Sequence, residues 1–234
     1  MIKVSIHQPN FFPWLGYFSK IINSDIFIFL DDAQYPKKGG SWSNRVKLPI
    51  AGQPQWVTMP ISRSYSGTKT VAEVNIANDK PWREKLSKTV AGLYGRAPYY
   101  TDVAPFFENV LCSAGENVAD FNISVIEEII KFIEVPAPQL LRSSAYRVES
   151  TATQRLVDLI SKVGGDAYLC GAGSDGYLEP EIFRESNIQL IYHNYSHPVY
   201  QQCHSEEFIG GLSILDSLMN LGPDAVRKIL IENP

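Results

Sequence analysis

Cysteine is scarce in this 234-residue chain, and Cys112, Cys170 and Cys203 lie far apart. An odd, scattered set does not make a disulfide framework and suits reduced thiols. Histidine is nearly as scarce, with four in the chain. His193, His197 and His204, with Cys203, are the only cluster, and their spacing matches no tight zinc motif, so no metal site is expected. Charge of one sign is missing too. With 21 basic and 25 acidic residues the net charge is −4, which gives no strong field for nucleic acid or an anionic membrane. No apolar run nears the roughly 20 residues of a spanning helix. No leader-like segment precedes the first predicted strand. The expectation is a cytoplasmic protein with no nucleic-acid partner and no membrane insertion. Internal repeats, low-complexity tracts, a P-loop and a G-x-S-x-G elbow are all absent.

What is present is 44% hydrophobic content, enough for a sizeable core. The opening is its most informative stretch. Ile2, Val4 and Ile6 alternate with Lys3 and Ser5, the pattern of a strand. Pro9 and Pro13 then stop it, and apolar residues recur at helical spacing from Trp14 to Ile22. His7, Gln8 and Asn10 therefore sit on a strand-to-helix turn, the place where open α/β sheets bind ligands. The apolar run 26–30 reads as a second buried strand ending in Asp31-Asp32, which completes a βαβ unit. A hairpin is predicted from 42–48 and 55–61, flanking Pro49 to Pro54, and a short strand over 71–76. Helices are predicted near 81–94, 101–111 and 117–133, so that 78–134 forms a helical insertion or subdomain. Strand, helix, strand, helix, strand then follow between 139 and 192, and a last helix pair covers 213–220 and 223–232. The fold expected is one α/β domain over 1–234: a mostly parallel, three-layer, Rossmann-like sheet with a hairpin and a helical insertion.

Several positions can carry chemistry. Asp31 and Asp32, with Gln34, form a carboxylate cluster at a strand end, suited to a general base or a cation site. Arg45 and Lys47 share one face of a predicted strand, with Asn44 opposite, and such a pair can hold phosphate. Gly171, Gly173 and Ser174 belong to a glycine loop after a strand, where backbone N–H groups can approach an anion. It is not a dinucleotide fingerprint, because the next helix starts too late. His197 and Tyr200 are candidates for pocket lining. Cys170 precedes the glycine loop but reads as an ordinary buried thiol.

These stretches resemble the WbqC-like proteins. The resemblance rests on Ile6-His7-Gln8-Pro9-Asn10-Phe11-Phe12-Pro13-Trp14-Leu15-Gly16-Tyr17-Phe18, then Phe29-Leu30-Asp31-Asp32-Ala33-Gln34-Tyr35 and Asn44-Arg45-Val46-Lys47. Tyr168-Leu169-Cys170-Gly171-Ala172-Gly173, His197-Pro198-Val199-Tyr200-Gln201-Gln202 and Leu212-Ser213-Ile214-Leu215-Asp216 continue it. Cys170 departs from the small hydroxyl residue expected there, which argues against a thiol nucleophile. The resemblance implies a bacterial protein of surface-polysaccharide (O-antigen) biosynthesis, acting beside amino-sugar enzymes. It suggests transfer of an aminoacyl or acyl group to a nucleotide-linked amino sugar, with an acyl-carrier protein as a possible donor. His7 or Asp31 would be the base, Arg45 and Lys47 would hold a pyrophosphate, and the loop from Gly171 to Gly176 would stabilise an oxyanion. No cofactor is implied. Two alternatives stand. The His7–Asn10 turn is distantly similar to the histidine motif of nucleotidyltransferases, which would bring Mg²⁺ and a nucleoside triphosphate. A non-catalytic binding protein of the same pathway is the other.

Overall fold

The first strand, β1 (Lys3–His7), is buried through its middle and pairs in parallel with β2 (Ile26–Phe29), of which every residue is buried. A strand covered on both faces needs no polar alternation, which explains the unbroken apolar run. This computed structural model describes residues 1–112, 115–171, 176 and 178–232. Three more parallel strands complete the sheet: β5 (Gln139–Arg142), β6 (Ala167–Gly171) and β7 (Gln189–His193), in the order β5-β2-β1-β6-β7. The chain starts in the middle, builds outward through β2 and β5, then returns to build the other flank. The reversal falls between β1 and β6, so the switch point of this doubly wound sheet lies there.

The connections make the outer layers. Helix α1 (Leu15–Ile22) links β1 to β2. The long crossover from β2 to β5 carries the antiparallel hairpin β3 (Arg45–Ile50) and β4 (Gln53–Thr58), then α2 (Trp82–Tyr94), α3 (Tyr100–Cys112) and α4 (Val118–Phe132). Together with α7 (Ile214–Glu232) these pack against Phe27 and Phe29 in one continuous core. On the opposite face, α5 (Ala152–Lys162) and α6 (Pro180–Glu185) cover Val4, Ile6, Ile26, Ile28 and Tyr168. Strand alternation sends Phe27 and Phe29 one way and Ile26 and Ile28 the other, and that alone sets the three layers. The α/β, Rossmann-like architecture is as the sequence predicts. The helices of 78–134 share their core with α1 and α7.

Two local expectations change. The hairpin turn is Ala51-Gly52, with φ of 52° and 71°, not the whole Pro49–Pro54 segment. Both central residues lie at positive φ, as the tightest hairpin turns require, and Pro49 and Pro54 face each other inside a two-stranded sheet where every strand is an edge. The predicted strand over 71–76 is instead a 3₁₀ turn at Val71–Glu73. The Glu73 carboxylate accepts from Thr70 N at 2.8 Å and Thr70 Oγ1 at 3.0 Å, and this capping box outweighs the β-branched run. The helix pair at the end of the chain is kinked at Gly222 (φ 80°), where a Cβ would come within 2.6 Å of the Tyr99 ring.

Candidate functional site

β1 and β2 stay in register along four residue pairs, whereas β1 and β6 pair only at Lys3–Ala167 and Val4–Tyr168. Beyond those two pairs the strands part. The carbonyls that a continued ladder would use are taken by side chains. Ser5 Oγ donates to Leu169 O at 3.0 Å, and the Lys20 ammonium, reaching in from α1, donates to Ile6 O at 3.2 Å. The β1–β6 ladder thus ends short of the strand tips at the switch point, and the gap between His7, at the end of one strand, and Gly171, at the end of the other, is the candidate crevice. A side chain on Gly171 would meet no atom within 4 Å among the described residues.

His7 is held in one tautomer. Its Nδ1–H donates to Gln8 O at 3.0 Å, which leaves Nε2 as the unprotonated nitrogen, without a protein partner among the described residues. Burial, then the charge of Lys20, lowers its pKa to about 4, so the ring is neutral at physiological pH. Lys20 itself is only 6% exposed. Burial lowers its pKa to about 8, and no carboxylate among the described residues pairs with it. The Tyr168 ring lies 5.8 Å from its Nζ. The buried His193 closes the floor at the end of β7, with Nε2 3.0 Å from Ser19 Oγ and its own pKa lowered by burial and by Lys20.

The turn that carries His7 is pinned from four directions. Tyr17 Oη donates to Gln8 O, Asn122 Nδ2 to Pro9 O, and Phe11 N to Trp42 O. Ser213 Oγ donates to Phe12 O, which stabilises Phe12 at a φ of 42°. A non-glycine residue in that region is strained, and the surrounding contacts over-determine it. Trp14 lies flat over Gly16, where a Cβ would fall 2.2 Å from the indole. Within this rigid turn the Asn10 Oδ1 is buried without a partner, and the Gln8 side chain is half-buried and bonded to nothing among the described residues.

The other sequence-predicted residues fall into separate places. Asp31 is buried and accepts from Ser143 Oγ (3.1 Å), Ser144 N (3.0 Å) and Ser144 Oγ (2.8 Å). Asp32 accepts from Ser143 Oγ and pairs with Arg155 at 2.5 Å. Both carboxylates turn toward β5 and α5, the flank of β1 away from the crevice. Gln34 is exposed and bridges to Thr70. Asn44 is buried, donating to Met59 O and accepting from Ser41 N, so it braces the hairpin. Arg45 and Lys47 share a face as predicted, stacked on tryptophans: the Arg45 guanidinium is 4.2 Å from the Trp56 ring, and Lys47 Nζ is 5.2 Å from Trp56 and 5.8 Å from Trp42. Arg45 also lines a basic cleft of about 550 Å³ with Arg63 and Lys80. His197 stacks on Trp14, its Nδ1 3.2 Å from Pro198 O. Tyr200 donates to the buried Asp216 at 2.7 Å, and burial with that carboxylate holds its phenol strongly protonated. Gly173 and Ser174 lie outside the described residues.

The sequence reading of the crevice contains His7, Gln8, Asn10 and Gly171 but misses Lys20, Ser19 and His193 as parts of it. A lysine on an amphipathic helix reads as solvated surface. Gly16, Ser19, Lys20 and Asn23 recur at i, i+3, i+4 and i+7, the pattern of an ordinary solvated face, and only the packed structure shows Ser19 and Lys20 to be buried. No helix among the described residues is long and apolar enough to cross a membrane.

Compared with known proteins, the chain matches the WbqC-like protein family over residues 8–228. It is 27% identical over 227 residues, 96% of each chain, to an uncharacterized protein of Mycobacterium tuberculosis. No solved structure matches it.

Proposed function

From the premise that the chain belongs to the WbqC-like protein family, we propose that it is a transferase of bacterial surface-polysaccharide biosynthesis that acylates the amino group of a nucleotide-linked amino sugar in the crevice between β1 and β6. The observation that carries this reading is His7, neutral, fixed in one tautomer by Gln8 O and presenting Nε2 at the switch point. In the proposed step the sugar amine attacks the carbonyl of an acyl or aminoacyl thioester. The nitrogen becomes strongly acidic as it acquires positive charge, so a base of low pKa is enough to remove its proton. His7 Nε2 takes that proton and returns it to the departing thiolate, leaving an amide and a free thiol. Gln8 and Asn10 offer hydrogen bonds to sugar hydroxyls from the same pinned turn. Arg45 and the basic cleft beside it, joined to that turn through the Phe11–Trp42 hydrogen bond, suit the phosphate groups of the donor. Asp31 and Asp32 serve the fold of the β2–β5 end in this reading. An acyl-carrier protein is one source of the donor. The step itself requires no metal.

The test is an incubation of purified protein with nucleotide-linked amino sugars and a panel of acyl and aminoacyl thioesters. Product mass and released thiol are read together. Amide formation that disappears in His7→Ala is the expected result. Pyrophosphate release from a nucleoside triphosphate with Mg²⁺ would assign nucleotidyl transfer instead, and ligand binding with no turnover would assign a binding protein.

A further inference from the structure

We infer that Lys20 is the anion-binding group of the crevice: its ammonium, lodged where β1 and β6 part, takes a phosphate oxygen of the bound ligand and thereby makes His7 a stronger base. The ligand's identity as the nucleotide-linked acceptor rests on the function proposed above. The charge argument does not.

A buried ammonium is unfavourable unless it is paired and hydrogen-bonded. Lys20 has three donors, and the described residues supply one hydrogen-bond acceptor, Ile6 O. Among the described residues the ionisable groups that face it are His7 from β1, His193 from β7, and Tyr168 and Cys170 from β6, none of them a carboxylate. Among the described residues the fold therefore brings a cation into its interior without a carboxylate beside it. The position is not incidental, because the carboxyl ends of strands at a switch point are where doubly wound sheets receive phosphates. Gly171 leaves the facing wall without a side chain.

The same charge acts on the base. Lys20 is the second cause, after burial, of the low His7 pKa, and the only charged side chain among its causes; the Tyr17 ring packs edge-on against the imidazole at 5.0 Å. An anion on Lys20 cancels that part of the depression and moves the His7 pKa from about 4 part of the way back toward 6.5. The base gains strength only when the phosphate-bearing acceptor is in place.

Two measurements with inorganic pyrophosphate test this. Calorimetry on the wild-type protein and on Lys20→Met is expected to show binding that weakens about tenfold or more in the variant, the size of one charge-assisted contact. NMR titration of the His7 ring in the wild-type protein is expected to show its pKa rising when pyrophosphate saturates, and this arm needs no variant to fold. No pyrophosphate binding, equal binding by folded Lys20→Met, or a His7 pKa unmoved by bound pyrophosphate would each overturn the inference. Lysine-dependent binding with no acyl transfer to any amino sugar would keep the anion site and remove the proposed function. Acyl transfer undiminished in Lys20→Met would do the reverse.

Discussion

Two neighbouring strand pairs of one sheet end in opposite ways. At the β2–β5 end the strands stay paired along four residues, and the carboxylates that follow β2 are saturated by Ser143, Ser144 and Arg155. At the β1–β6 end, among the described residues, the strands part after two pairs, a buried lysine has no carboxylate partner, Asn10 Oδ1 is unpaired, and the His7 ring bonds through Nδ1 alone. Both ends attract attention in the sequence, because both place titratable groups after a strand. The difference lies in satisfaction. Buried polar groups that find their partners inside the protein hold it together, and those left waiting mark where something else belongs.

The comparison breaks most visibly by exchanging its two chemistries. His7→Ala is expected to lower acyl transfer by about 10²- to 10⁴-fold, the range of a lost general base, while the melting temperature stays within a few degrees. Asp31→Ala is expected to do the opposite. It strands the Ser144 amide and hydroxyl, while the Ser143 hydroxyl keeps Asp32, and destabilises by about 2–4 kcal/mol, with activity per folded molecule retained. Urea unfolding beside an activity assay separates the two. If Asp31→Ala abolishes turnover in folded protein, the β2–β5 end is catalytic after all.

Lys20→Met sharpens the contrast because removing a charge is expected to stabilise. The Lys20 pKa is lowered from 10.5 to about 8, which sets an upper limit of about 3 kcal/mol at pH 7. The folded value lies below the unfolded one. The wild-type protein therefore gains stability as pH rises from about 8 to 10.5, and the variant is expected to lose that rise. His7 gives the matching effect in acid. Its folded pKa of about 4 lies below the unfolded 6.5, so its contribution is complete above pH 6.5 and is lost as pH falls through about 4. Chemical denaturation across that window is expected to show a flatter slope in His7→Gln. The smallest effect is Arg155→Ala. It removes a partly exposed partner of Asp32 and is expected to cost about 1 kcal/mol with no change in turnover.

Most of the fold was legible because its signals are periodic. Ile26 and Ile28 against Phe27 and Phe29, the proline stop after His7 and the glycines ending α5 each dictate local structure with little tertiary help. Val71 to Ile76 was misread because one carboxylate, Glu73, capped a turn that β-branching argued against. The candidate site was half legible. His7, Gln8 and Asn10 announce themselves by crowding polar groups between prolines. Lys20 does not, since its meaning depends on strands that part, and strand register is a property of the whole sheet. The surroundings of Asp31 are hidden for the same reason: Ser143 and Ser144, which saturate it, lie more than a hundred residues away in sequence.

Chemical-shift mapping of isotope-labelled protein against a nucleotide-linked amino sugar tests the central claim most directly. If ligand enters the open strand end, perturbations concentrate on His7, Gln8, Lys20 and Gly171, while Asp31, Ser143 and Ser144 stay quiet. Perturbations centred on Asp31 and Ser144, with His7 and Lys20 unmoved, would contradict it.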